Sequence, residues 1–165
     1  VGTFLKYNYA LGWWDYGLLA RSAWIDQSVL GAPIGADPNR LLIYQHETSP
    51  DADDQPLISS FLTGYFALNE GDFKTFVDEV WPDARYGEYG AAQNATLQIK
   101  FWLADFPEQA PLAVGPFICT QASTWFNLRA RSRLFAMEIL SNDYGSFWRL
   151  GRFRYRAQPA GRYGA

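Results

Sequence analysis

The sequence predicts an all-β protein of antiparallel strands, with part of a β-propeller and a β-sandwich or barrel-like module. Three observations carry that prediction. Apolar and polar residues alternate with period two, the mark of a strand with one packed and one solvated face. The alternation is clearest in Ala95–Leu103, where Leu97, Ile99 and Phe101 interleave with Thr96, Gln98 and Lys100. Clusters of Gly, Pro, Asn and Asp interrupt these stretches at short spacing. The chain also carries 12 Phe, 10 Tyr and 7 Trp, residue types that favour strands.

Taken in order, Thr3–Tyr9 predicts a strand, Gly12–Gly17 an aromatic turn, and Leu18–Trp24 a returning strand. Residues 7–21 have the look of one propeller-blade hairpin. Gly31–Asn39 reads as a loop, Arg40–Glu47 as a strand, and Thr48–Gln55 as an acidic loop ended by Pro56. Leu57–Leu68 is ambiguous. Asp72–Trp81 fits a helix face or a strand, and its β-rich surroundings favour the strand. Gly87 and Gly90 mark a loop, and Phe106–Pro116 a Pro-interrupted connection. Phe117–Gln121 and Thr124–Leu140 read as strands. The Ser141–Gly145 turn then predicts that Ser146–Gln158 returns antiparallel on Thr124–Leu140, with Phe147, Leu150 and Phe153 buried. Pro159–Ala165 reads as an exposed tail. Two regions are expected: residues 1–50 as propeller-like strands and residues 51–165 as an antiparallel β module.

Charge is distributed unevenly. Residues 1–128 hold six basic and fifteen acidic residues, or −9; residues 129–165 hold eight basic and two acidic, or +6. A net charge of −3 argues against a general nucleic-acid binder while leaving room for a local basic surface. The basic residues alternate with apolar ones in Leu128-Arg129-Ala130-Arg131 and Arg152-Phe153-Arg154-Tyr155-Arg156. Arg129, Arg131, Arg133, Arg152, Arg154 and Arg156 are therefore the candidate interface or DNA-facing residues. Register decides whether the two rows interleave with aromatics or form one basic ribbon. Salt bridging to acidic parts of the same or a neighbouring chain is the competing role.

Other features point to ordinary structure. Cys119, the single cysteine, lies in an apolar stretch and reads as a buried strand thiol, with no disulfide partner. His46 beside Glu47 has a general base's residue types, but reads as a strand-end contact. Asp51, Asp53 and Asp54 read as a solvated loop rather than a Ca²⁺ site. Asn94-Ala95-Thr96 is a sequon by chance. The seven Trp residues read as core or, less readily, as platforms for sugars or bases. No HExxH, GxSxG, Walker or dinucleotide-binding pattern occurs. No catalytic, cofactor or metal residue is assigned, and no run reaches the roughly 18 apolar residues of a membrane span.

Several stretches resemble one family. They are Tyr7-Asn8-Tyr9, Arg21-Ser22-Ala23-Trp24-Ile25-Asp26, Leu42-Ile43-Tyr44-Gln45-His46-Glu47, Thr63-Gly64-Tyr65-Phe66 and Val80-Trp81-Pro82-Asp83. To these add Arg129-Ala130-Arg131-Ser132-Arg133, Gly145–Arg154 and Pro159-Ala160-Gly161-Arg162. Together they are similar to the late part of short-tailed phage tail nozzle proteins, also called tail tubular protein B or packaged-DNA stabilisation protein. The resemblance implies a non-enzymatic structural virion protein of the tail, built on a propeller with added β domains. It implies a ring, expected as a homo-hexamer, that retains and conducts the genome. Implied partners are the tail adaptor or portal-proximal proteins, tail fibres and, transiently, genomic DNA, with no cofactor. Family members are longer, so Val1 is expected to follow further chain. A carbohydrate-binding β module that stacks Trp and Tyr on host surface glycans is the alternative.

Overall fold

A computed structural model describes residues 2–27, 29, 31–53, 55–68, 70–88 and 95–162. Asp54, Gly90, Asn94 and the last three residues lie outside the described residues. Regular structure among the described residues is entirely strand, antiparallel throughout, with no sheet closed into a barrel. Among the described residues, no helix is long and apolar enough to cross a membrane. The chain divides into two compact units, Val1–Ser49 and Pro50–Ala165.

In the first unit, β1 (Thr3–Asn8) and β2 (Trp13–Leu18) form a two-stranded hairpin with Leu5 opposite Tyr16 and Tyr7 opposite Trp14. Its turn comes earlier than expected. The Asn8 side chain accepts from the amides of Ala10 and Leu11, both at 3.1 Å, and Gly12 takes φ 69°. That side-chain turn closes the chain over Tyr9–Gly12, so most of the expected aromatic turn is strand β2. β3 (Ala23–Ile25) does not return on β1. It joins β4 (Ile34–Asp37) and β5 (Leu42–Gln45) in a separate sheet. β4 lies where the sequence predicts a loop, because Gly35 there serves close packing: a Cβ would fall 2.9–3.0 Å from Arg21, His46 and Trp24 side-chain atoms.

The second unit contains β6 (Ser59–Leu62), β7 (Phe66–Ala67), β8 (Phe73–Trp81), β9 (Ala84–Glu88) and β10 (Leu97–Ala104). It continues with β11 (Leu112–Cys119), β12 (Phe126–Ser132), β13 (Leu134–Ser141), β14 (Ser146–Leu150) and β15 (Arg154–Arg162). One sheet has the order β11-β10-β13-β6, with β7 also on β13; another is β12-β8-β15; a third is β14-β9. The alternation read in β10 is real: Leu97, Ile99, Phe101 and Leu103 are buried, and Gln98, Lys100 and Trp102 between them are half-buried. They share one core with Phe135, Met137 and Ile139 of β13, Val77 and Val80 of β8, and Leu128 and Ala130 of β12. Cys119 is buried there too, and burial pushes its thiol up to about 11.

The expected terminal hairpin is not formed. Thr124–Leu140 is two strands, β12 and β13, broken at Arg133 and assigned to different sheets. Ser146–Gln158 is likewise split: β14 pairs with β9, and β15 pairs with β8. The turn chemistry at Ser141–Gly145 exists, yet it serves another contact. Asp143 Oδ2 accepts from the backbone N–H and hydroxyl of Thr96, each at 2.6 Å, which ties the turn to the start of β10. Phe147 is 44% exposed rather than buried, while Leu150 and Phe153 are half-buried against the core. The expected Gly87 loop is in β9. The expected Phe106–Pro116 connection is partly β11, an edge strand where Pro116 removes a donor the sheet does not need. Pro159–Arg162, expected as tail, belongs to β15.

Candidate functional site: the arginine face of the second unit

Strand β8 brings four of the six predicted arginines, Arg129, Arg131, Arg154 and Arg156, to one surface. It is the middle strand of β12-β8-β15, so each row occupies its own flank. In β12 the residues Leu128, Ala130 and Ser132 are buried, while Arg129 and Arg131 are exposed. Directly opposed residues in an antiparallel pair share a face. Arg131 therefore lies beside Phe76, and Gln158 of β15 stands on the other side of the same Phe76. Arg156 likewise stands beside Glu79, with Asn127 across from it. Arg154 is opposite Trp81. Neither register considered from sequence applies, because the rows are two strands apart.

Irregular pairing at Asp78 shapes the charge. β12 is bulged between Asn127 and Ala130, and β15 shifts register between Arg156 and Ala157, so Asp78 has no direct partner on either side. Asp78 and Glu79 are both half-buried rather than alternating. Arg129 sits in the bulge at φ 49°, a left-handed conformation costly for a residue with a Cβ. That bend sets its Nε 4.0 Å from Asp78 Oδ1. Arg156 forms a direct hydrogen-bonded ion pair with Asp78 Oδ2 and reaches Glu79 Oε1 at 3.0 Å. The bond to Asp78 raises the Arg156 pKa further. Arg129 and Arg156 thus engage the two carboxylates, while Arg131 and Arg154, on the same face, make no ion pair among the described residues.

The other two predicted arginines are elsewhere. Arg133 marks the break between β12 and β13 and is half-buried; its backbone N–H donates to Asp105 Oδ1 at 3.3 Å. Arg152 precedes β15, and its backbone N–H donates to Asp83 Oδ2 at 3.3 Å. Sequence reading does not single out Arg85. It stands directly opposite Arg149 in the β9–β14 pair, both exposed, with no ion pair among the described residues. Like charges facing across a ladder are unfavourable unless an anion lies between them. Only the strand register, invisible without β9, could have shown this.

His46 is used structurally. Its Nε2 accepts from Arg21 Nε at 3.0 Å, so the neutral ring carries its proton on Nδ1. Arg21 also bonds Asp37 Oδ2 at 3.2 Å and lies 4.6 Å over the Tyr44 ring, while Trp24 packs 4.7 Å from His46. Burial and the Arg21 charge hold the His46 pKa below its usual value. The amide of Asn39, bonded at 2.8 Å, holds Asp37 low as well. The lone pair a general base would need is occupied. Among the described residues, no three His, Cys, Asp or Glu side chains gather to hold a metal ion.

The tryptophans depart from the core expectation. Trp13, Trp14, Trp24 and Trp125 are 46–70% exposed, and Trp81, Trp102 and Trp148 are only half-buried. The indole N–H groups of Trp102 and Trp148 are satisfied by Glu138 and Ser59, both at 2.8 Å. Compared with known proteins, the chain matches no protein-family model and no curated protein.

Proposed function

We propose that this chain is a structural assembly protein, and that the arginine face of its second unit docks an acidic surface of a neighbouring subunit. The observation that carries the reading is the mixed composition of that face. Asp78 and Glu79 already engage Arg129 and Arg156, leaving Arg131 and Arg154 for outside carboxylates. Guanidinium forks recognise carboxylates with fixed geometry, and a static interface gains from that fixity. A groove for sliding DNA is served worse by inward-facing carboxylates, which repel phosphates.

Within this reading we place the chain in a ring-shaped phage tail nozzle that retains and conducts the genome, a homo-hexamer in the virion tail. Its neighbours would be adaptor or portal-proximal proteins and tail fibres. The family resemblance of the aromatic and arginine motifs supports this. The propeller-like character of residues 1–50 belongs to the same proposal. So does the sandwich-like character of the later module, supported by two sheets sharing one core. The test is the double change Arg131→Ala with Arg154→Ala. Sedimentation should show weaker assembly with unchanged circular dichroism. Intact assembly with altered DNA retention would reassign the face to the channel.

The exposed indoles favour a second reading, a module that stacks on host glycans. Binding on a glycan array, lost on Trp13→Ala or Trp125→Ala, would select it over the assembly reading.

A further inference from the structure

The first unit leaves two apolar sheet faces uncovered. On the hairpin, the pairs Thr3–Leu18, Leu5–Tyr16 and Tyr7–Trp14 lie on one face. Leu5, Tyr16, Trp14 and Leu18 are 70–79% exposed and Tyr7 50%. No charged residue interrupts this ladder; Lys6 and Asp15 pair on the opposite face. On the three-stranded sheet, Ala23, Ala36 and Ile43 form one row and Ile25, Ile34 and Gln45 the next, with Gln45 uncharged. Ile25 is 59% and Ile43 77% exposed. This second face is low and mostly aliphatic, where the first is tall and largely aromatic.

We infer that these two faces are the halves of one head-to-tail interface: the aromatic ladder of one copy seats on the isoleucine face of the next. The proposal rests on the assembly reading only in taking a second copy as the occupant. Three observations favour a copy. The faces do not meet within one chain through the contact that joins their sheets, because Lys6 reaches Glu47 at 2.9 Å from the side of the hairpin opposite the ladder. Both faces are uncharged, so a charged partner finds nothing to pair with, whereas tall aromatics against short Ala and Ile side chains suit sheet-on-sheet packing at ~10 Å. The area also suffices. A packed aromatic buries roughly 150–250 Å², so three partly exposed aromatics and two leucines offer on the order of 600 Å². With an equal area from the partner, this reaches the roughly 1,200 Å² at which specific interfaces begin. Two different faces on one chain make the contact heterologous, the kind that closes into rings or runs into filaments.

The test uses the full chain. Light scattering and sedimentation should show concentration-dependent association of the unaltered protein that persists or strengthens in ~1 M salt, as apolar burial does. An association carried by arginines alone would weaken there, and a chain monomeric at all concentrations would also overturn the inference. Tyr16→Lys should disable the ladder and Ile43→Lys the aliphatic face, each weakening association at least tenfold. Mixing the two variants should restore 1:1 pairing through the one intact apolar interface. A variant that assembles normally, or a mixture that stays monomeric, contradicts the inference. Tyr16→Thr and Ile43→Thr, which keep strand propensity, repeat the mixing test if the lysine variants misfold. Adding Arg131→Ala and Arg154→Ala to both variants should leave the 1:1 dimer intact, which separates failure of this interface from failure of the arginine reading.

Discussion

The two units hold themselves together in different ways. In the second, Phe135, Leu97, Ile99, Ile139 and Val80 are essentially sealed from water, and two sheets share their burial. In the first, the buried described residues are Ala32, Pro33, Gly35 and Asp37, with no large apolar side chain among them. Its order comes from ladders, the Asn8 turn and the Arg21–Asp37–His46 cluster. A two-stranded hairpin is marginal in water without a packed face. The contrast teaches that aromatic content does not equal core. The same residue types seal one unit and coat the other.

The largest effect should separate the units directly. Phe135→Ala removes a fully buried ring from the shared core and should cost about 3–5 kcal/mol in urea unfolding. Tyr16→Ala, from the first unit's ladder, should change the stability of the dilute chain by less than ~0.5 kcal/mol. Comparable losses would mean that the ladder already packs against something within one copy.

Next comes the tie at Asp143. Asp143→Ala leaves the Thr96 amide and hydroxyl without their acceptor and should cost roughly 1–3 kcal/mol. Thr96→Val should lose less, since the amide bond to Asp143 survives. If neither change destabilises the protein, the Thr96 contact is not what draws the Ser141–Gly145 turn away from a terminal hairpin.

That hairpin shows where sequence reading succeeds and stops. The alternation of β10 is legible because burial on one face imposes period two, whereas the apolar spacing of β8 fits a helix face as well as a strand, and only its β-rich surroundings favour the strand. Antiparallel all-β structure follows from such stretches. Pairing does not. Arg133 breaks Thr124–Leu140 through tertiary contacts near Asp105 and Gly71, and no local turn signal marks it. The turn at Ser141–Gly145 reads as a hairpin because local chemistry cannot reveal that Asp143 is claimed by Thr96, 47 residues away. For the arginines, alternation gives the outward direction of Arg129 and Arg131, but the meeting of Arg129 with Arg156 at Asp78 requires β8 to lie between the rows.

Acid should act on the first unit selectively. His46 has a folded pKa below its unfolded value, so the unfolded state binds the extra proton first as pH falls. The contribution is present above about pH 6.5 and is lost as pH drops toward the folded pKa, where a charged ring faces Arg21. Trp24 fluorescence should report a transition in that window, absent in His46→Gln. A transition unchanged by the substitution would assign it to another group.

The smallest effect is expected at Asp78. Its pairs with Arg129 and Arg156 are solvent-exposed on the arginine side, so Asp78→Ala should shift stability by at most about 1 kcal/mol. It should instead lengthen retention on a heparin column, because the arginines lose their internal carboxylate. Unchanged retention would show that those guanidinium groups are not presented together.

The most direct measurement of the contrast between the units is amide hydrogen exchange on the chain diluted to monomer, then at high concentration. In the monomer, β10 and β13 should exchange only through global unfolding, while β1, β2 and β3–β5 exchange orders of magnitude faster through local opening. Raising the concentration should slow exchange in the first unit. Equal protection of β1–β2 and β10 in the monomer, or no response of the first unit to concentration, would contradict the account.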